Sequence, residues 1–83
     1  MKSAITIILV NESGRRLFEL NTLLEFTHDS KASDVCALAK NKLAERTKET
    51  LGEAKIIMDR KELKPTDILK DFTGQYICKI TKA

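Results

Sequence analysis

The stretch KIIMDRKELKPTDILKDF, Lys55 to Phe72, decides how the rest of the chain must be arranged. It opens on Lys55-Ile56-Ile57-Met58, an apolar run of the kind that forms a strand. DRKE, Asp59 to Glu62, is a tight polar turn, and Leu63 is expected to begin a short fourth strand. Pro65 suits a turn, and Thr66 is placed to cap a short helical turn over Asp67–Lys70. Leu63, Leu69 and Phe72 read as pegs into a core. Successive strand side chains point to opposite faces, so with Ile56 in the core Ile57 points out. Ile57 is then either the centre of an exposed docking patch or a core residue covered by another segment.

Upstream, Ala4 to Val10 (AITIILV) is rich in β-branched residues, as expected of a buried strand. Asn11 to Gly14 (NESG) is turn chemistry. Phe18, Leu20, Thr22, Leu24 and Phe26 then alternate with Glu19, Asn21 and Glu25, so residues 4–26 read as a β-hairpin. Leu17 and Leu23 interrupt the polar face. Asp29, Ser30 and Ser33 are candidate N-caps for a helix running to about Leu51, with Gly52 just past its end. Val35, Ala39 and Leu43 form its apolar stripe, widened by Cys36 and Leu38. Lys40, Lys42, Arg46 and Lys48 occupy the other face, with Glu45 spaced to pair with Lys42 and Lys48.

Downstream, Thr73-Gly74 is a turn, and Tyr76, Cys78 and Ile80 alternate with Ile77, Lys79 and Thr81 in a last strand. The order is β-β-α-β-(β)-β. A hairpin, a crossing helix and strands that return to the same sheet make an α+β fold, with one amphipathic helix across one face of a mixed sheet. The first and last strands are expected to lie parallel and adjacent at its centre. Residues 1–83 form a single domain, since one proline and three glycines leave no linker.

Hydrophobic residues make up 42% of the chain and charged residues 33%, a soluble globular composition rather than a disordered one. The formal charge of +3 is spread along the chain, and the aromatics are limited to Phe18, Phe26, Phe72 and Tyr76. A nucleic-acid binder is expected to cluster both, so nucleic acid is not the favoured partner. AITIILV is too short to cross a membrane and lacks a cleavage pattern. Cys36 and Cys78 fit neither a metal spacing nor a CxxC motif, and are expected to be free thiols packed as small hydrophobes in a cytoplasmic or nuclear protein.

The same stretch, Lys55 to Phe72, resembles the ubiquitin-like domains of the β-grasp fold. Lys55-Ile56-Ile57-Met58 matches their basic-Leu-Ile-aromatic strand, Arg60-Lys61 their Gly-Lys turn, Leu63 and Leu69 their two leucines at the same separation, and Leu69-Lys70-Asp71-Phe72 their Leu-x-Asp-Tyr segment. The resemblance covers about eighteen residues without a gap, and elsewhere it is one of element order. It implies a ubiquitin-like roll and an apolar docking patch centred on Ile57, with Lys55, Arg60, Lys61 and the last strand as its rim. Four features depart from the family. The chain ends Lys82-Ala83 without Gly-Gly, so a role as a conjugated modifier is expected only for a chain with a longer tail. The loop between Phe72 and Tyr76 is short, the hairpin and helix are long, and Arg60 replaces a glycine, which predicts a different turn type there.

Chemistry-bearing constellations are missing from the pattern. His28 is the only histidine and stands beside Asp29 as a surface or capping residue. Gly14, Gly52 and Gly74 are isolated at turns, so no phosphate loop is formed. The acidic residues are dispersed, and no metal or cofactor site is expected. The reading is a non-catalytic ubiquitin-like interaction module with a protein partner in the ubiquitin or proteasome pathway or in a larger assembly. The alternatives are a modifier without its Gly-Gly tail and a small basic nucleic-acid-binding domain.

Overall fold

The computed structural model describes residues 2–83. Its elements in chain order are β1 (Ser3–Val10), β2 (Arg16–Leu24), α1 (Ala32–Ala44), β3 (Leu51–Met58), β4 (Lys61–Glu62), a short 3₁₀ turn (Leu69–Asp71) and β5 (Ile77–Lys82). The strands form one mixed sheet in the order β2-β1-β5-β3-β4. β1 and β5 are parallel at its centre and every other pairing is antiparallel. With α1 packed on one face, this is a β-grasp-like α+β fold.

The apolar character of β1 follows from its central place. Ile5, Ile7 and Leu9 face the helix and are buried. Their partners across the hairpin are Thr22, Leu20 and Phe18, so the even positions of β2 face the same way. Val35, Ala39 and Leu43 of α1 close over them, with Ile56, Met58, Leu63, Leu69, Cys78 and Ile80 from the second half of the chain. Phe26 and Tyr76 meet edge to face, ring centres 5.2 Å apart, at the end of this core.

Expectations about boundaries are overturned at both ends of the helix and at the fourth strand, which is Lys61–Glu62 and stops before Leu63. The helix stops at Ala44, because Leu51 and Gly52 already belong to β3, where Leu51 pairs with Lys82. Residues 45–50 span the return, and Thr47 Oγ1 accepts the Glu49 amide, a side-chain bond that competes with continued helix. Glu45 and Lys48 therefore lie beyond the helix, and neither forms an ion pair among the described residues. Gly52 is not a helix terminator: a Cβ there would stand 2.8 Å from the Thr81 carbonyl oxygen, at a register shift between β3 and β5.

The helix N-terminus is not capped by Asp29, Ser30 or Ser33. Lys31 occupies the cap position and supplies no side-chain bond. The free amides of Ala32 and Ser33 instead donate to the backbone carbonyls of Asp67 and Pro65, at 2.9 and 3.0 Å. Thr66 does not cap the short turn either; Asp67 Oδ2 accepts the Lys64 amide at 2.7 Å and folds that loop on itself.

Candidate functional site

Among the described residues no element covers the face of the sheet turned away from α1. On β3, Ile56 and Met58 are buried on the helix side, while Ile57 between them points outward and is half-buried. Its partners in register are Ile77 on β5 and Glu62 on β4. Ile77 in turn neighbours Thr6, and Lys79 neighbours Ile8, across the central parallel pair. Ile57, Ile77 and Ile8 thus form an apolar strip across three strands. Thr6, Asn21 and Gln75 border it: the Thr6 hydroxyl donates to Asn21 Oδ1 at 2.7 Å and accepts from Gln75 Nε2 at 3.1 Å. Leu23, 57% exposed, stands at the far corner beyond this polar chain.

Beside the strip is a shallow depression of about 340 Å³ lined by Lys55, Ile57, Arg60, Lys79 and Thr81 and the carboxylates of Glu53 and Glu62. Lys55 and Lys79 sit directly opposite one another, a like-charge pair that the sheet would disfavour alone. Glu62 relieves it, since Lys55 Nζ lies 2.7 Å from Glu62 Oε1. That hydrogen bond, with the charges of Glu62 and Glu53, raises the Lys55 pKa above its ordinary 10.5, and the ammonium stays charged. Both groups are solvent-exposed, so the pair orients Lys55 more than it stabilises the fold. Lys79 and Arg60 remain as cations with no ion pair among the described residues.

Of the four residues singled out by the sequence, Lys55, Ile57 and Arg60 come together on this face. Lys61 does not. It pairs with Met58, whose side chain points toward the helix, and lines a separate small cleft with Asp59, Asp71 and Phe72. Arg60 reaches the face through an unexpected turn. Asp59 and Arg60 have φ of 51° and 66°, so the two-residue loop keeps the left-handed geometry that glycine would favour. Ile8, Ile77 and Lys79 were not singled out. The period-2 pattern of the last strand placed Ile77 and Lys79 on one side, but only the pairing of β5 with β3 and β1 sets them around Ile57.

His28 is exposed, 4.0 Å from Asp29 Oδ1, which also lies 3.5 Å from Lys70 Nζ. Among the described residues no three His, Cys, Asp or Glu side chains are grouped to hold a metal ion. No helix among them is long and apolar enough to cross a membrane. Both cysteines are free thiols. No protein-family model matches this chain, and none of the curated proteins matches it at a significant level.

Proposed function

We propose that this domain is a non-catalytic, ubiquitin-like protein-interaction module that docks a partner through the sheet face around Ile57. The observation that carries the reading is the uncovered strip of Ile57, Ile77 and Ile8, edged by Lys55, Arg60 and Lys79. An apolar centre inside a charged rim is how modest protein interfaces are built. The complementary partner presents an apolar ridge with carboxylates beside it, which would meet Lys79 and Arg60. The likeness of Lys55 to Phe72 to ubiquitin-like domains supports a partner in the ubiquitin or proteasome pathway or a sibling domain in a larger assembly. A cytoplasmic or nuclear setting suits such a role.

The test substitutes the centre of the strip. Wild type and Ile57→Arg are immobilised in parallel, retained proteins are identified by quantitative mass spectrometry, and the leading partner is titrated against both. Ile57→Arg is expected to keep the wild-type circular dichroism, because the side chain faces solvent. It is expected to weaken binding about 30-fold or more, the effect of losing a central anchor. A folded Ile57→Arg with unchanged affinity would remove the Ile57 face from the interface. Salt-sensitive RNA binding by both proteins, with no protein partner retained, would replace the reading with a nucleic-acid one.

A further inference from the structure

β2 is an outer strand of the sheet, and among the described residues nothing pairs with its outer side. The Thr6 amide donates to the Tyr76 carbonyl, so Thr6 turns its backbone groups toward β5, and its neighbours Ile5 and Ile7 turn theirs toward β2. The pairs Ile5 with Thr22, Ile7 with Leu20 and Leu9 with Phe18 therefore carry the hydrogen bonds of the hairpin. Glu19, Asn21 and Leu23 alternate with these partners and turn their amides and carbonyls to the open edge.

Long edge strands are ordinarily blunted by lysine, proline or an inward charge. β2 carries no lysine and no proline, and its charges, Arg16 and Glu19, pair with one another at 3.1 Å. A bulge opposite Val10 disturbs the strand only at its start, at Arg16 and Leu17. The large apolar side chains that stand most exposed among the described residues, Leu17, Phe18 and Leu23, are all on this strand. Because α1 packs chiefly over β3, Phe18 is left open on the helix side and Leu20 beside it is only half-buried. Open backbone groups and open apolar side chains thus share one edge.

We propose that β2 pairs antiparallel with β2 of a second copy of this chain, about a two-fold axis through Leu20, joining two sheets into one. Opposed strand residues share a face, so the allowed registers set even positions against even and odd against odd. A register centred on Glu19 opposes two carboxylates, and one centred on Asn21 sets Glu19 against Leu23 of the second copy. The register centred on Leu20 sets Glu19 against Asn21 of the second copy, and Asn21 against its Glu19. All four have open backbone groups, and each pair can exchange both of its N–H···O bonds. Leu17 then meets Leu23 of the second copy at each end. On the helix side Leu20 meets its own copy, with Phe18 of each strand on the diagonal. The strand is complementary to itself, as a two-fold interface requires, and this argues for a second copy over a foreign strand. The axis stands perpendicular to the sheet, so the Ile57 strips of both copies face the same way. The pairing does not rest on what Ile57 binds.

Sedimentation equilibrium of the full chain from about 10 μM to about 1 mM covers the affinities expected of a small interface. The mass is expected to climb from the 9.4 kDa of one chain toward twice that value. Hydrogen exchange is expected to protect the Glu19, Asn21 and Leu23 amides only at the upper concentration, and those of Phe18, Leu20 and Thr22 at both. Glu19→Pro removes an outward N–H, which an edge strand tolerates, and is expected to weaken association about tenfold or more. Leu17→Lys with Leu23→Lys opposes like charges at both ends and is expected to abolish the dimer in this range. Leu17→Glu with Leu23→Lys opposes unlike charges there and is expected to keep it. If Glu19→Pro alters the circular dichroism, the two charged variants decide alone. A wild-type mass that stays at one chain overturns the proposal. So does a dimer that the paired lysines leave intact, or an equal loss in both charged variants. Ile57→Arg is expected to dimerise as wild type does; loss of the dimer there would place the contact on the Ile57 face and overturn the pairing of β2.

Discussion

Arg60 holds a conformation that its side chain does not favour. With only two residues between Met58 and Lys61, the hairpin requires a turn whose twist matches the strands, and both central residues take positive φ. For a residue with a Cβ the left-handed region costs about 1–2 kcal/mol. Arg60→Gly is therefore expected to stabilise the domain by about 1 kcal/mol, raising Tm by about 4–8 °C in a thermal melt. Gly74 is expected to show the opposite sign. Its φ is 116°, and a Cβ there would stand 2.9 Å from the Asp59 amide nitrogen, a backbone atom that cannot swing aside. Gly74→Ala should cost about 1–3 kcal/mol, read from the denaturant midpoint. That Arg60 stands where the ubiquitin-like pattern it resembles has glycine was visible in the sequence, which pointed to a different turn type; that the turn has the left-handed geometry glycine favours was not, because hairpin length rather than residue preference sets it.

The start of α1 and the loop before β5 depend on each other. Beyond the two carbonyls that cap Ala32 and Ser33, the Leu69 amide donates to the Ser30 carbonyl at 3.1 Å and the Lys70 amide to the His28 carbonyl at 2.7 Å. Leu69, 1% exposed, pins this loop into the core. Leu69→Ala is expected to cost about 2–5 kcal/mol, the range for a buried leucine. Hydrogen exchange should show the amides of Ala32 and Ser33 losing protection more than those of β1, since their partners ride on the loop. Equal loss at both places would mean that Leu69 serves the core alone. The local capping signals at Asp29, Ser30 and Ser33 misled because the caps come from backbone far along the chain, which no nearby side chain announces. Leu69 itself was legible, as one of two leucines in the opening stretch.

Over the whole molecule, the buried Cys78 thiol ties stability to alkaline pH. In the unfolded chain it ionises near its ordinary 9.0, while in the folded chain Cys36 and burial hold it protonated. Above that pH the unfolded state carries fewer protons, so the stability present below it is lost as pH rises, by at most about 1.4 kcal/mol per unit. Cys36 is shifted the other way and has made its contribution once the unfolded thiol is ionised. Cys78→Ser does not titrate in this range. The difference in unfolding free energy between wild type and Cys78→Ser should therefore shrink from about pH 9 to about pH 10 in urea titrations. A constant difference would show that the folded thiol ionises as readily as the unfolded one.

The sequence by itself determined the α+β order, the parallel meeting of first and last strands, and the inward residues of each element. These follow from periodicity: two-residue alternation in the strands and the Val35, Ala39, Leu43 spacing in the helix are local signals of which side is buried. Ile57 was legible as outward for the same reason. Only the tertiary structure decided what surrounds it. Register between strands brought Ile77, Ile8 and Lys79 to its side and sent Lys61 to the other face, because a pair's side chains share a face only once the pairing is set. It also placed Cys36 half-exposed at the edge of a groove beside β3, where the helix pattern alone had made it one more residue of the core.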